Sequence, residues 1–577
     1  MERIWIKSYA KGVPADIDYT HYASLTQLIE QSFSQYASRP ACVCMGTFMT
    51  YAELDALSQK LGAWLQSTGM EKGARVGLMM PNILQYPVVI AAVLRAGYTV
   101  VNINPLYTPR ELAHQLKDSG AEAIIILENF AHTLQKVVDQ TQLKHIVVAS
   151  MGDLLGTLKG AAVNFVVRRV KKLVPAFSLR GTVSFKDVLH KGAHQTLRRI
   201  TQTQDDIAFL QYTGGTTGVA KGAMLSHRNV IANVLQTEAW LQPGIRRQPA
   251  LDQLRILCAL PLYHIFALTS CGLLGIRTGA LNILVPNPRD IPELVKVIGK
   301  YRPHKMPAVN TLFNALLNHP DFAKLDFSAL RICNGGGMAV QAAVADKWFK
   351  VTGCPIIEGY GLSETSPVAT CNPCSETEIL PFNGTIGLPL PSTDIAILDE
   401  EGQPLPIDQP GEIGIRGPQV MVGYWNRPDE TAKAMTADGF FKSGDIGLMN
   451  KDGYVKIIDR KKDMILVSGF NVYPNEVEGV VAAHPGVLEC ACVGVPDQHT
   501  GEAVKLFVVR KDPLLTSEQI LEYCRTQLTG YKRPKYIEFR DELPKTNVGK
   551  ILRRELREMK EAAKNQQPAI PKMQNIG

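Results

Sequence analysis

Short, wholly apolar runs set the rhythm over most of the chain, and few of them alternate with polar residues. Each is followed by a Gly, Pro or Asn turn and then an amphipathic stretch, as in RVGLMMPN (75–82), AEAIIILEN (121–129), KHIVVAS (144–150) and RILCALPLYH (255–264). A strand covered on both faces has no polar side to show. Dense β-branched runs joined by helical stretches therefore predict buried parallel strands in a layered α/β fold. From about 384 the pattern shifts to short segments that alternate and turn on glycine, DIAILDEEG, GEIGIRG and GYVKIIDRKKD, which predict a small β-rich subdomain over 383–460. Beyond it come GVLECACVGVP, GEAVKLFVVRK, the helical TSEQILEYCRTQL and KYIEFRDELP, a compact βαβ-like piece. A hinge at Asp459–Lys462 divides the chain into a large domain, 1–460, and a small mobile α+β domain, 461–577, whose tail after about residue 563 should fray. No internal repeat or low-complexity tract interrupts this order.

With 577 residues, 45% apolar and 20% charged, the chain can pack several domain-sized cores and is not a disordered polymer. Eleven cysteines are too sparse for a disulfide scaffold, and the odd count suits a reducing, cytoplasmic setting. Cys371 and Cys374 form a C-x-x-C without a second pair or a nearby histidine, which favours two unlinked loop cysteines over a zinc site. The opening MERIWIKS does not read as a secretory leader, and no apolar run approaches the roughly 18 residues of a membrane span. A net charge of +8 fits anionic ligands or an anionic lipid surface and is too diffuse to argue for nucleic acid.

The segment richest in chemistry is Tyr212-Thr213-Gly214-Gly215-Thr216-Thr217-Gly218-Val219-Ala220-Lys221-Gly222. Its glycines let backbone N–H groups turn inward, its hydroxyls add donors, and Lys221 adds charge, a combination suited to a polyphosphate. A flexible surface turn is the plainer alternative. The pattern is not G-x-x-x-x-G-K-[ST], because Gly222 follows Lys221, so a P-loop NTPase is disfavoured. Between Asp252 and Asp290 there is no acidic residue. An ammonium-bearing substrate would want a carboxylate there, whereas an alkyl chain gains about 0.8 kcal/mol per buried CH₂ from such a wall. NFVVRRVKKLVPAF (164–177) interleaves Arg168, Arg169, Lys171 and Lys172 with apolar residues. It reads either as a solvated helix face or as a patch for anionic lipid, worth about 1 kcal/mol per basic residue.

Seven further segments follow in order: LPLYHIFAL (260–268), NGGGM (334–338), EGYGLSETSP (358–367), GEIGIRGPQVMVGYW (411–425), DGFFKSGDIG (438–447), DGYVKIIDRKKDMILVSGFNVYPNEVE (452–478) and YKRP with LPKTNVGKILRRELR (531–557). In order and spacing they resemble the adenylate-forming superfamily of acyl-CoA synthetases, adenylation domains and luciferases, from residue 1 to about 560. MMPN, NPLYTPRELAHQLKDSGA and SGFNVYPNEVE are similar in particular to bacterial long-chain fatty-acid–CoA ligases.

The resemblance implies ATP-dependent activation of a long-chain fatty acid through an acyl-adenylate, with Mg²⁺ and with coenzyme A as co-substrate, serving fatty-acid uptake and β-oxidation. Loading of a carrier protein, a medium-chain ligase and a luciferase-like oxidase are the rival activities. By the same resemblance, the 212–218 loop and Lys221 hold the β- and γ-phosphates, with Thr213 and Lys221 counted as catalytic. Glu364 holds Mg²⁺, although an acid in a helix's first turn would read the same way. Tyr360, Gly361 and Gly335, Gly336 and Gly337 meet the adenine, and Ser363 meets the α-phosphate. The family pattern is Tyr-Gly-x-Thr-Glu, so Ser363 keeps the hydroxyl and loses a methyl. Asp445 takes the ribose, assisted by Arg460, and Lys550 serves the adenylation step. Gly469 and Phe470 serve the CoA step, with Lys462 as the pivot between the two. His264 borders the substrate carboxylate or is a helix-end histidine. Phe266, Leu268 and Val309 line the acyl pocket. Peripheral attachment to the inner membrane face, a homodimer, and no nucleic-acid partner complete the expectations.

Overall fold

The computed structural model describes residues 2–213, 220–497, 499–546 and 549–557. The chain forms two compact units. The first comprises Met1–Val340, Val344–Ser443 and Gly447–Ile457, and the second Gln341–Ala343, Gly444–Ile446 and everything from Ile458 onward.

In the first unit an eight-stranded sheet runs in the order Gly423–Tyr424, Lys221–Ser226, Ile207–Thr213, Thr99–Asn102, Arg75–Met79, Ala123–Leu127, His145–Ala149, Thr182–Ser184. Its central strands are parallel, with Val76 beside Val100 on one side and Ala123 on the other. Thr99–Asn102 and Ala123–Leu127 are buried at every position, which explains why these runs are apolar throughout. At one edge Ile207–Thr213 folds back antiparallel onto Lys221–Ser226, placing Thr213 opposite Lys221.

A second, nine-stranded sheet has the order Leu388–Pro389, Val368–Cys371, Ile356–Gly361, Ile332–Gly335, Lys305–Ala308, Arg255–Cys258, Leu281–Leu284, Pro40–Cys44, Thr47–Thr50. Its five central strands, from Ile356–Gly361 to Leu281–Leu284, are parallel to one another. The helix His227–Arg246 begins at a capping box in which Ser226 and Asn229 satisfy each other's backbone N–H groups. Its buried amides are used as ties: Asn233 donates to the Val368 carbonyl at 2.7 Å, and Asn229 to those of Pro418 and Val420 at 2.8 and 2.7 Å.

The β-rich stretch forms a four-stranded sheet in the order Asp394–Leu398, Gly411–Arg416, Phe441–Met449, Val455–Arg460, whose last strand carries the chain from the first unit into the second. The second unit has its own sheet, Phe470–Val472, Ile465–Val467, Gly501–Arg510 and Val487–Asp497, with Tyr536–Arg540 added parallel to Gly501–Arg510. Its helices Pro474–Ala482 and Ser517–Gln527 contribute Val477, Val481, Ile520 and Cys524 to a core shared with Leu506 and Val508 of the sheet.

Cys371 and Cys374 are buried, and Cys371 ends a strand, so the expectation of two loop cysteines is corrected for that residue. Among the described residues no helix is long and apolar enough to cross a membrane.

Candidate functional site

Several of the expected ligand-binding residues of the first unit lie at carboxyl ends of strands, where open α/β sheets leave room for ligands. Thr213 ends Ile207–Thr213, Gly335 ends Ile332–Gly335, and Tyr360 and Gly361 end Ile356–Gly361. Gly214, Gly215, Thr216, Thr217 and Gly218 lie outside the described residues.

Three charged side chains gather around one tyrosine. Tyr424 donates its hydroxyl to Glu364 Oε1 at 2.9 Å, and its ring lies 4.9 Å from Lys221 Nζ. Lys221 in turn pairs with Glu430 at 2.5 Å. Burial, and then the Glu364 charge, push the Tyr424 hydroxyl well above the usual phenol range, which keeps it a donor. Glu364 is itself buried in a 3₁₀ turn, Ser363–Thr365, and its carbonyl accepts the Met421 N–H at 2.7 Å. Ser363 opens that turn. The close approach of Gly361 to the Pro367 carbonyl leaves no space for a side chain, so glycine is required there. Tyr424 lies in GEIGIRGPQVMVGYW (411–425), whose local pattern gives it no role, and Glu430 carries no local signal. Both are functional candidates that the pattern did not disclose.

Next to this cluster, Tyr212 donates to Asp118 Oδ2 at 2.7 Å, and Trp425 Nε1 donates to the Asp118 carbonyl at 2.9 Å. Arg427 pairs with the same carboxylate at 3.2 Å. Tyr212 is thus fixed by its hydroxyl, and its ring packs against Gly222.

The acid-free wall is anchored to both strands and turn. Gln211 Nε2 donates to the Tyr263 carbonyl at 2.8 Å, and Thr269 Oγ1 donates to the Ser366 carbonyl at 2.8 Å. Between those ties His264 caps a short helical turn, its Nδ1 accepting the Phe266 N–H at 3.3 Å. Leu268 begins a π-helical turn, Leu268–Leu273, and is buried, as is Val309. A Cβ on Gly336 would stand 3.2 Å from the Phe266 ring, and one on Gly337 3.6 Å from Val309, so the glycine run lies directly against the acyl wall.

In the second unit Arg460 Nε lies 3.3 Å from Asp445 Oδ1. Lys550 follows a tight turn in which the Thr546 N–H donates to its carbonyl at 2.7 Å and Gly549 has φ +84°. Burial first, and then the Arg460 charge, push the Lys550 ammonium down to about 7, with Asp445 and Asp463 opposing. Lys462 is lowered for the same two reasons. Arg553 holds this region together: it makes two bonds to Glu478, at 2.9 and 2.6 Å, and reaches Asp459 at 3.4 Å. Gly469 has φ +85° and open space around its missing side chain, and Phe470 stacks on Tyr531 with centroids 4.9 Å apart.

The sequence pattern of AMP-binding enzymes matches residues 29–425, and that of the AMP-binding enzyme C-terminal domain matches residues 476–550. The chain is 54% identical to a long-chain-fatty-acid–CoA ligase of Escherichia coli O6:H1 over 559 residues, covering 97% of this chain and 98% of the relative. Among solved structures it resembles an anthranilate CoA ligase in complex with anthranoyl-AMP, with a TM-score of 0.83 at 26% identity over 95% of this chain and all of that one. It also resembles ATP-bound MatB from Rhodopseudomonas palustris, with a TM-score of 0.76 at 28% identity over 93% of this chain and 99% of that one.

Proposed function

The chain belongs to the AMP-binding enzyme family, and from that premise we infer that it activates long-chain fatty acids to acyl-CoA. In the first step a carboxylate oxygen bonds to the α-phosphorus of ATP, the bond to the β-phosphate oxygen breaks, and pyrophosphate leaves. In the second the sulfur of coenzyme A bonds to the acyl carbon, the bond from that carbon to the phosphate oxygen breaks, AMP leaves, and the thiol proton passes to the departing phosphate or to water. Neither step asks the protein for a strong nucleophile, so catalysis reduces to alignment and charge neutralisation. The observation that carries the reading is the grouping of Lys221, Tyr424 and Glu364 in the unit that also holds an acid-free wall.

Lys221 meets the departing phosphates. Glu364, a hard oxygen donor fixed by Tyr424, suits Mg²⁺, which when bound neutralises phosphate oxygens. Because His264 Nδ1 accepts a backbone N–H, the ring proton belongs on Nε2, where it donates to the substrate carboxylate. Tyr360 and Gly335–Gly337 receive the adenine, and Asp445 with Arg460 the ribose. Lys550 stabilises charge at the α-phosphate, and an anionic substrate restores its proton. Gly469 and Phe470 belong to the CoA step, with Lys462 as the pivot. Attachment to the inner membrane face would serve a substrate that partitions into lipid.

AMP formation measured with short, medium and long saturated fatty acids, with and without free CoA, tests the reading. The expected result is turnover that rises with chain length and requires CoA. Turnover of a carrier protein in place of free CoA would favour the adenylation-module alternative.

A further inference from the structure

The helix Thr157–Phe165 and the π-helical turn Val166–Val170 that continues it present an apolar side outward. Leu158 is 87% exposed, Phe165 61% and Val170 63%, and Val166 and Leu173 stand out beside them. The inward side accounts for how the element is held. Gly160 lies so close to the Gly152 carbonyl that a Cβ there would be 2.3 Å from the oxygen. Asn164 accepts the Gly152 N–H at 2.7 Å, and Val167 is buried. The exposed residues are thus left over after the helix has spent its packing side on its own unit.

The charges divide in the same way. Arg168 turns inward, pairing with Glu128 at 2.9 Å and donating to Ser150 Oγ at 2.8 Å. The sequence reading of four available cations is corrected to three. Arg169, Lys171 and Lys172 are exposed and have no carboxylate partner among the described residues. At the other end of the helix Lys159 donates to the Met45 carbonyl and to Thr47 Oγ1, which brings up the tip of the hairpin Pro40–Thr50 with its exposed Met45 and Phe48. Phe177, in contrast, is half-buried and does not belong to the outer side.

We propose that the outer side of Thr157–Leu173, with the hairpin tip at Met45–Phe48, is the surface by which the protein docks on an anionic phospholipid bilayer. An apolar side set beside unpaired cations matches a layer with acidic headgroups above hydrocarbon, and a nucleic acid would leave the apolar side unsatisfied. The proposal deepens the fatty-acid reading, because that substrate is delivered from lipid.

The test is vesicle flotation with phosphatidylcholine alone and with added phosphatidylglycerol, at low and high salt. Wild type should bind the anionic vesicles and lose them as salt rises. Arg169→Gln/Lys171→Gln/Lys172→Gln should partition roughly 100-fold more weakly, from about 1 kcal/mol per basic residue near the surface. A Phe165→Trp variant should shift its fluorescence to the blue on anionic vesicles. Unchanged binding by the triple variant, equal binding to neutral vesicles, or a Phe165→Trp emission spectrum indifferent to lipid would overturn the proposal. Turnover of octanoate, which is water-soluble, should be unchanged in all variants. Failure of wild type to turn over fatty acids of any chain length would defeat the ligase reading and leave the vesicle result standing.

Discussion

Tyr424 donates its hydroxyl to Glu364 at 2.9 Å while its ring carries Lys221 Nζ at 4.9 Å, so one aromatic side chain fixes both the candidate metal carboxylate and the candidate phosphate cation. Tyr424→Phe keeps the ring and removes the bond to Glu364. Hydrogen bonds to charged groups contribute about 1.5–3 kcal/mol, so the Mg²⁺ concentration at half-maximal AMP formation should rise about tenfold or more. A Mg²⁺ titration with unchanged midpoint would remove Glu364 from the metal site.

Lys221 is already engaged by Glu430 at 2.5 Å, on a partly exposed ion pair. If ATP phosphates recruit Lys221, that pair must loosen first. Glu430→Gln should then lower KM for ATP, by up to about fivefold given 0.2–1 kcal/mol for exposed pairs. A raised KM would mean that Glu430 orients Lys221 and does not compete for it.

Lys550 and Gly469 should separate the two chemical steps. Lys550→Ala is expected to abolish fatty-acid-dependent pyrophosphate exchange yet largely spare thioester formation from supplied acyl-adenylate, since only the first step builds charge at the α-phosphorus. Gly469→Leu should do the reverse. Its φ of +85° adds about 1–2 kcal/mol of backbone strain to any side chain, so Gly469→Ala serves as the control for strain alone. Equal loss of both steps in the Lys550 variant would end this division of labour.

The parallel strands were legible because burial on both faces leaves its mark in consecutive residues, as in Ala123–Leu127. The small domain's helix Ser517–Gln527 was legible in the helical stretch TSEQILEYCRTQL, and the structure adds that Thr516 caps it. What stayed hidden depends on chain segments far apart in sequence. Glu430 reaches Lys221 from 209 residues away and sits in an ordinary acidic first turn. The hairpin tip beside Lys159 adds Met45 and Phe48 to the basic-apolar helix through contacts that no local pattern encodes. Arg168 looked equivalent to its neighbours until Glu128 singled it out.

Lys305 gives a prediction of the opposite sign. Its side chain is wholly buried, with Nζ donating to the Ser270 carbonyl at 2.5 Å, and burial lowers its ammonium while only thiols of the neighbouring cysteines oppose. A buried cation without a carboxylate is costly. Lys305→Met, of similar length, should therefore raise the thermal midpoint by about one degree, as expected for a gain of about 1 kcal/mol in a chain of this length, whose unfolding entropy is large. A fall in the midpoint would show that the bond to the π-helical Ser270 outweighs the desolvation.

Glu358 sets a pH dependence. Its Oε1 accepts the Val340 N–H at 2.9 Å, and burial raises its carboxyl from 4.5 to about 8, with that single bond offsetting only part of the shift. The unfolded chain releases this proton near pH 4.5, whereas the folded one holds it to about 8. Between those values the folded state binds the extra proton, so the contribution of Glu358 to stability is fully present below pH 4.5 and is lost as pH rises towards 8. Glu358→Gln keeps an acceptor for Val340 and cannot ionise. Thermal midpoints taken across that range should fall with pH more steeply in wild type than in the variant, by an amount corresponding to at most several kcal/mol at about 1.4 kcal/mol per pKa unit. Parallel curves would show that the folded protein ionises Glu358 at its ordinary value, and that a partner other than Val340 solvates the carboxylate.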